Sequence, residues 1–124
     1  MMRAVLTVML LASFGARAQP AGGSLMPCPA TGEGFGGGCA CWRVEPAPVW
    51  GTGSYTAASG ICSAAVHAGV IRETGGAVRV VPEPGQSAYA GSVRNGVTSG
   101  THGSAASGFR AERLAGGWGS APRQ

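Results

Sequence analysis

Thr56-Ala57-Ala58-Ser59-Gly60-Ile61-Cys62-Ser63-Ala64-Ala65-Val66-His67-Ala68-Gly69 is the stretch whose reading decides the fold. Ala58, Ile61, Cys62, Ala65 and Ala68 recur at three- and four-residue steps, Thr56 can cap the start and Gly69 can end the run. That spacing predicts a helix over 56–69. The other side, Ser59, Ser63, Ala64, Val66 and His67, is hardly more polar. Small side chains on every face predict a buried helix that other elements wrap closely. Gly60 weakens an interior turn by about 1 kcal/mol relative to Ala, so tertiary packing has to hold this helix.

Toward the C-terminus the period changes to two. Val78 and Val80 fall on one side of Arg79, and Pro82, Pro84 and Gly85 follow, which predicts a strand over Ala77–Val81 stopped by the prolines. Further short strands are expected at Ala88–Val93 and Gly96–Ser99, joined through Arg94-Asn95-Gly96, because Asn-Gly suits tight turns with positive φ. Another is expected at Gly108–Leu114. On the other flank, residues 19–38 are rich in Pro and Gly, ending in Gly32-Glu33-Gly34-Phe35-Gly36-Gly37-Gly38, and read as irregular. The expected architecture is α+β: a single small domain with one central helix wrapped by four to six short strands.

The N-terminus reads as an export signal. Met1-Met2-Arg3 is basic, Ala4 to Phe14 is apolar apart from Thr7 and Ser13, and Ala16-Arg17-Ala18 has the A-x-A form. An apolar run of eleven residues rises only about 16 Å of a hydrocarbon core about 30 Å thick, so it does not read as an anchor. The expected division is a signal peptide over 1–18, a domain over 19–114 and a loose tail over 115–124. No membrane span is expected in the mature chain, and the expected location is secreted or periplasmic.

All four cysteines, Cys28, Cys39, Cys41 and Cys62, lie beyond the signal. An even number in a small exported domain predicts two disulfides and hence a stapled fold. Three connectivities exist, of which Cys39–Cys41 is disfavoured across one intervening residue. The C-x-C pair lacks the partners a zinc site needs, so no metal is expected.

The charge set is narrow. The bases are all Arg, there is no Lys and no Asp, and the acids are Glu33, Glu45, Glu73, Glu83 and Glu112. This excludes a Schiff-base lysine, a Walker lysine and an Asp-rich calcium loop. Beyond the signal, seven Arg stand against five Glu, too small an excess for a nucleic-acid footprint.

The run Val49-Trp50-Gly51-Thr52-Gly53-Ser54-Tyr55-Thr56, followed by Ser59-Gly60-Ile61-Cys62-Ser63-Ala64-Ala65-Val66-His67-Ala68-Gly69-Val70-Ile71, resembles the signature of the LCCL domain family. Gly75-Gly76-Ala77-Val78, Pro84-Gly85, Tyr89-Ala90-Gly91-Ser92 and Arg94-Asn95-Gly96-Val97-Thr98-Ser99 continue it in order, and the likeness covers about Cys28 to Phe109. The chain is similar to short secreted bacterial members. The resemblance implies a central helix wrapped by strands, and pairing of Cys28 with Cys39 and of Cys41 with Cys62. For function it implies a noncatalytic secreted or periplasmic binding module, with lipopolysaccharide or other cell-surface glycolipid as the ligand class proposed for the family. The alternative is a structural or protein-interaction module of the envelope.

Candidate sites follow from the residues. Cys62 and His67 stand about 140° apart around a helix axis, which separates a nucleophile from its base. Ser59, Ser63 and His67 share a stripe, yet no Asp exists to orient the imidazole, so His67 reads as a packed histidine and no catalytic residue is expected. Gly51-Thr52-Gly53 opens like a phosphate loop but lacks its lysine, so no cofactor is expected. Trp50, Tyr55 and Tyr89 either anchor the core or, with Arg94, line a ligand patch. Arg79, Arg94, Arg110 and Arg113 read as a scattered solvated set. The partners expected are an anionic glycolipid, a polysaccharide or an envelope protein, for a domain that is itself a monomer.

Overall fold

Helix α1 spans Ile61–His67, shorter than the spacing predicts. Its N-cap is Gly60, in extended conformation and without a side-chain cap. A Cβ at Gly60 would come within 2.6 Å of the Ala47 Cβ, so the glycine marks a close approach before the helix rather than a weak point inside it. Thr56, read as the cap, belongs to a strand instead. The C-terminal signal holds: Gly69 adopts φ +80° and donates to the Val66 carbonyl, while the N–H of Val70 reaches Ala65. Ile61, Ser63, Ala64, Ala65, Val66 and His67 are buried, as small side chains on every face lead one to expect, whereas Ala68 is exposed at the cap.

The computed structural model describes residues 25–114. The signal peptide read over 1–18 and the tail read over 115–124 lie outside the described residues. Strand β1 is Gly37–Cys41, β2 Gly51–Thr52, β3 Ser54–Thr56, β4 Gly76–Pro84, β5 Val93–Arg94, β6 Val97–Thr98 and β7 Ser107–Arg113. Five of them form one antiparallel sheet in the order β1-β4-β7-β3-β2, and β5 and β6 form a hairpin. Among the described residues this is a small α+β domain of one helix and seven strands.

Three differences from the sequence reading have physical causes. The segment read as irregular through residue 38 enters strand β1, because β4 supplies the pairing, Cys39 opposite Val78 and Cys41 opposite Gly76. Strand β4 runs on through Pro82 to Pro84, past the expected stop. β1 pairs only with residues 76–80 of β4, so both prolines lie where that side of β4 is an edge, and a missing N–H costs no ladder bond there. Ala88–Val93 is not a continuous strand: Tyr89 makes an isolated bridge to His102, and regular pairing begins at Val93. The Asn95-Gly96 turn forms as expected, at φ 53° and 81°.

Val78 and Val80 point inward with Arg79 exposed between them, and the core adds Cys39, Cys41, Val49, Tyr55, Ile61, Ala64, Ala65 and Phe109. Disulfides join Cys28 to Cys39 and Cys41 to Cys62, the pairings that the family resemblance implies. The outer strands β1 and β2 each carry pairing on their outer side. Residues 26–28 cover β1 through Ala40 N–H to the Met26 carbonyl and Cys28 N–H to the Ala40 carbonyl, both 2.9 Å. Gly100 covers the outer side of β2, accepting from the Gly51 N–H at 3.1 Å. No helix among the described residues is long and apolar enough to cross a membrane.

Candidate functional site

The last turn of α1 carries His67 into a closed polar network. Its ring is fully buried. Nε2 lies 3.2 Å from the Ser92 carbonyl, which can only accept, so Nε2 carries the proton and Nδ1 accepts from the Tyr55 hydroxyl at 2.9 Å. Ser92 Oγ stands 3.2 Å from the same Nε2 and 2.6 Å from Thr52 Oγ1, whose proton goes to the Ala90 carbonyl at 2.9 Å. Asn95 Nδ2 donates to the His67 carbonyl at 2.9 Å. The network therefore bolts β2, β3 and the β5–β6 strap to the end of the helix.

The serine that meets His67 is Ser92, which the sequence stripe did not include. Ser63 donates instead to the Glu45 carbonyl at 3.1 Å. Ser59 accepts from the Trp50 N–H at 2.9 Å, outside the helix. A general base needs a free lone pair facing its serine, and here Nε2 is already a donor to a carbonyl. The imidazole is thus placed to hold the fold. Cys62 is in a disulfide.

Tyr55 and Tyr89 do not line a ligand patch, for both are buried. Tyr55 packs edge-on to His67 and 5.8 Å from the Phe109 ring, while Tyr89 accepts from the Gln86 N–H at 3.0 Å. Burial pushes the Tyr55 phenol above its ordinary value, against the lowering by the Gly53 backbone and the Arg94 charge. A raised acid of this kind leaves stability intact below pH 10 or so and removes it as pH rises through the higher folded-state value. Tyr55→Phe is expected to cost about 1–3 kcal/mol, because His67 Nδ1 loses its buried donor, and to flatten the alkaline part of the stability curve. Urea melts at pH 7 and pH 11 measure both. An unchanged midpoint at pH 7 would show the bond to be dispensable.

Trp50 is half-buried against His102, ring centroids 5.8 Å apart, and Arg94 is exposed on the hairpin. Arg79 and Arg113 are exposed as well. Arg110 is tied to Glu83 at 3.0 Å and Glu112 at 2.7 Å, and those hydrogen bonds push its guanidinium further up. That part of the outer sheet face is locally neutralised.

Among the described residues, the exposed aromatic is Trp42, 55% exposed, next to Arg43. Sequence reasoning passed it over because no period runs through it. The usable signal was a tryptophan set between a half-cystine and an arginine, close before Pro46-Ala47-Pro48. Arg43 and Glu45, 3.5 Å apart on the surface, line an open cleft of about 210 Å³ together with Cys28, Cys62, Gly60 and Ser63. So exposed a pair holds weakly, and its guanidinium can turn to another anion.

Residues 25–109 match the family model described as LCCL domain. The human protein "Cysteine-rich secretory protein LCCL domain-containing 2" is 56% identical over 54 residues, 43% of this chain and 11% of that protein. Mouse vitrin is 49% identical over 51 residues, 41% of this chain and 8% of its own length. Bovine cochlin is 44% identical over 63 residues, 51% of this chain and 11% of its own. The chain thus spans about a tenth of each of these relatives. With the signature run, the central helix, the two bridges and a family match over most of its length, the chain belongs to the LCCL domain family.

Proposed function

We propose that this chain is a noncatalytic binding module, secreted or periplasmic, that recognises an anionic cell-surface glycolipid or polysaccharide. The observation that carries the reading is the exposed Trp42, the chain neighbour of Arg43, which lines an open cleft. An aromatic face lies against sugar rings or acyl chains, and a guanidinium meets phosphate or carboxylate with two parallel hydrogen bonds. The cleft is smaller than the roughly 300–1,000 Å³ that enclose a small molecule, which suits a ligand presented on a surface. Val93, 69% exposed, and the exposed Arg94 add one apolar and one cationic side chain on the hairpin. The pairing on the outer sides of β1 and β2 speaks against a partner added there as a strand.

Cosedimentation with lipopolysaccharide aggregates and with insoluble peptidoglycan tests the reading. Retention on the order of micromolar affinity is expected. Arg94→Ala should weaken it several-fold with no change in melting temperature, since Arg94 is exposed at a turn. Retention on neither material would remove the glycolipid and polysaccharide reading and leave the envelope protein-interaction module.

A further inference from the structure

The two disulfides touch. Cys41 Sγ lies 3.6 Å from Cys28 Sγ, a van der Waals contact between sulfurs of different bridges, and the sulfurs of Cys28, Cys41 and Cys62 all fall within 4.8 Å of one another. The backbone explains why. Cys39 and Cys41 are two apart on β1 and so face the same side. The N–H of Cys28 donates to the carbonyl of Ala40, the residue between them, which stations Cys28 next to both. Accessibility divides the four: Cys39 and Cys41 are buried, whereas Cys28 and Cys62 are half-buried and line the open cleft.

We propose that the cleft is a thiol–disulfide exchange site, in which a small thiol captured on Cys62 moves the second bridge from Cys28–Cys39 to Cys28–Cys41. The thiolate of the small molecule attacks Cys62 Sγ from the cleft, its new sulfur–sulfur bond forms, and the Cys41–Cys62 bond breaks with Cys41 leaving as thiolate. That thiolate stands in contact with Cys28 Sγ. It attacks there, the Cys28–Cys41 bond forms, and Cys39 leaves and takes a proton from water. Two disulfides and one thiol enter and two disulfides and one thiol remain, so no oxidant or reductant is consumed. The exchange releases α1 from β1, because Cys41–Cys62 is the covalent tie between them. It leaves the segment at Cys28 tied to β1, one pair of residues further along.

The experiment uses the full oxidised chain and reduced glutathione at neutral pH, quenched in acid, alkylated with N-ethylmaleimide and mapped without reduction. Tandem fragmentation between Cys39 and Cys41, across Ala40, reads which of them is alkylated. The expected product carries glutathione on Cys62, maleimide on Cys39 and a Cys28–Cys41 crosslink. Glutathione on Cys62 with maleimide on Cys41 and an intact Cys28–Cys39 bridge would overturn the relay. Adducts on Cys28 alone, or none, would overturn the site. Cys39→Ser gives a second route that needs no added thiol: it leaves Cys28 free against Cys41, and the expected bridge is again Cys28–Cys41, now with Cys62 as the free thiol. A retained Cys41–Cys62 bridge in that variant would contradict the proposed contact.

Discussion

Reducing both disulfides is expected to abolish cooperative folding. The bridges close loops between residues 11 and 21 apart in sequence, and removing that restraint from the unfolded chain costs about 3 kcal/mol for each. About 6 kcal/mol is comparable with the whole stability of a small domain, about 5–15 kcal/mol. The structure gives little to replace it. α1 has seven residues and no side-chain cap, and its covalent attachment to β1 is Cys62 itself. Urea titration followed by circular dichroism, with and without a phosphine reductant, measures the effect. A sigmoidal transition at the same midpoint after complete reduction would mean that packing alone holds the domain.

Phe109→Ala is expected to cost about 3–5 kcal/mol, the range for emptying a buried aromatic site. Phe109 is fully buried on β7, paired across from Tyr55 on one side and Pro82 on the other. Its ring also lies against Gly32, where an added Cβ would stand 2.6 Å from Cε1, so the glycine-rich segment folds onto this ring because it carries no side chain there. Several elements therefore share one cavity when the ring is lost, and a strand pair cannot collapse to fill it. At roughly 4–8 °C per kcal/mol for a domain of this size, the melting temperature should fall by more than about 12 °C. A fall of only a few degrees would place the centre of the core elsewhere.

These two effects also show where the sequence speaks and where it is silent. The existence and the end of α1 are legible, because Ile61, Cys62 and Ala65 keep a helical period and Gly69 is free to take positive φ. Its beginning is not, since Thr56 looks like a cap locally and is claimed by Gly108, far along the chain, as a strand partner. β1 is hidden for a different reason: glycine has no side chain with which to write a period of two, so Gly37 and Gly38 reveal their strand only through Val80 and Arg79 opposite. The prolines of β4 read as a stop until the end of β1 is known.

Among the candidate site residues, Arg94 is legible as exposed because the Asn95-Gly96 turn fixes the hairpin. Tyr55 and Tyr89 are not separable from Trp42 by residue type. What buries them is His67 and Gln86 within hydrogen-bond reach of their hydroxyls, a fact of tertiary structure. Trp42 is left open by the turn from β1 toward the proline-rich 46–48 stretch, and no local pattern announces it.

Calorimetric titration of the oxidised domain with lipopolysaccharide and with soluble peptidoglycan fragments, at low and high salt, tests the binding account most directly. The account predicts heat with at least one of them at an affinity on the order of micromolar, weakening as salt screens the arginines, and lost in Trp42→Ala with the fold retained by circular dichroism. No heat with either ligand at either salt, together with an envelope protein recovered by crosslinking, would contradict it.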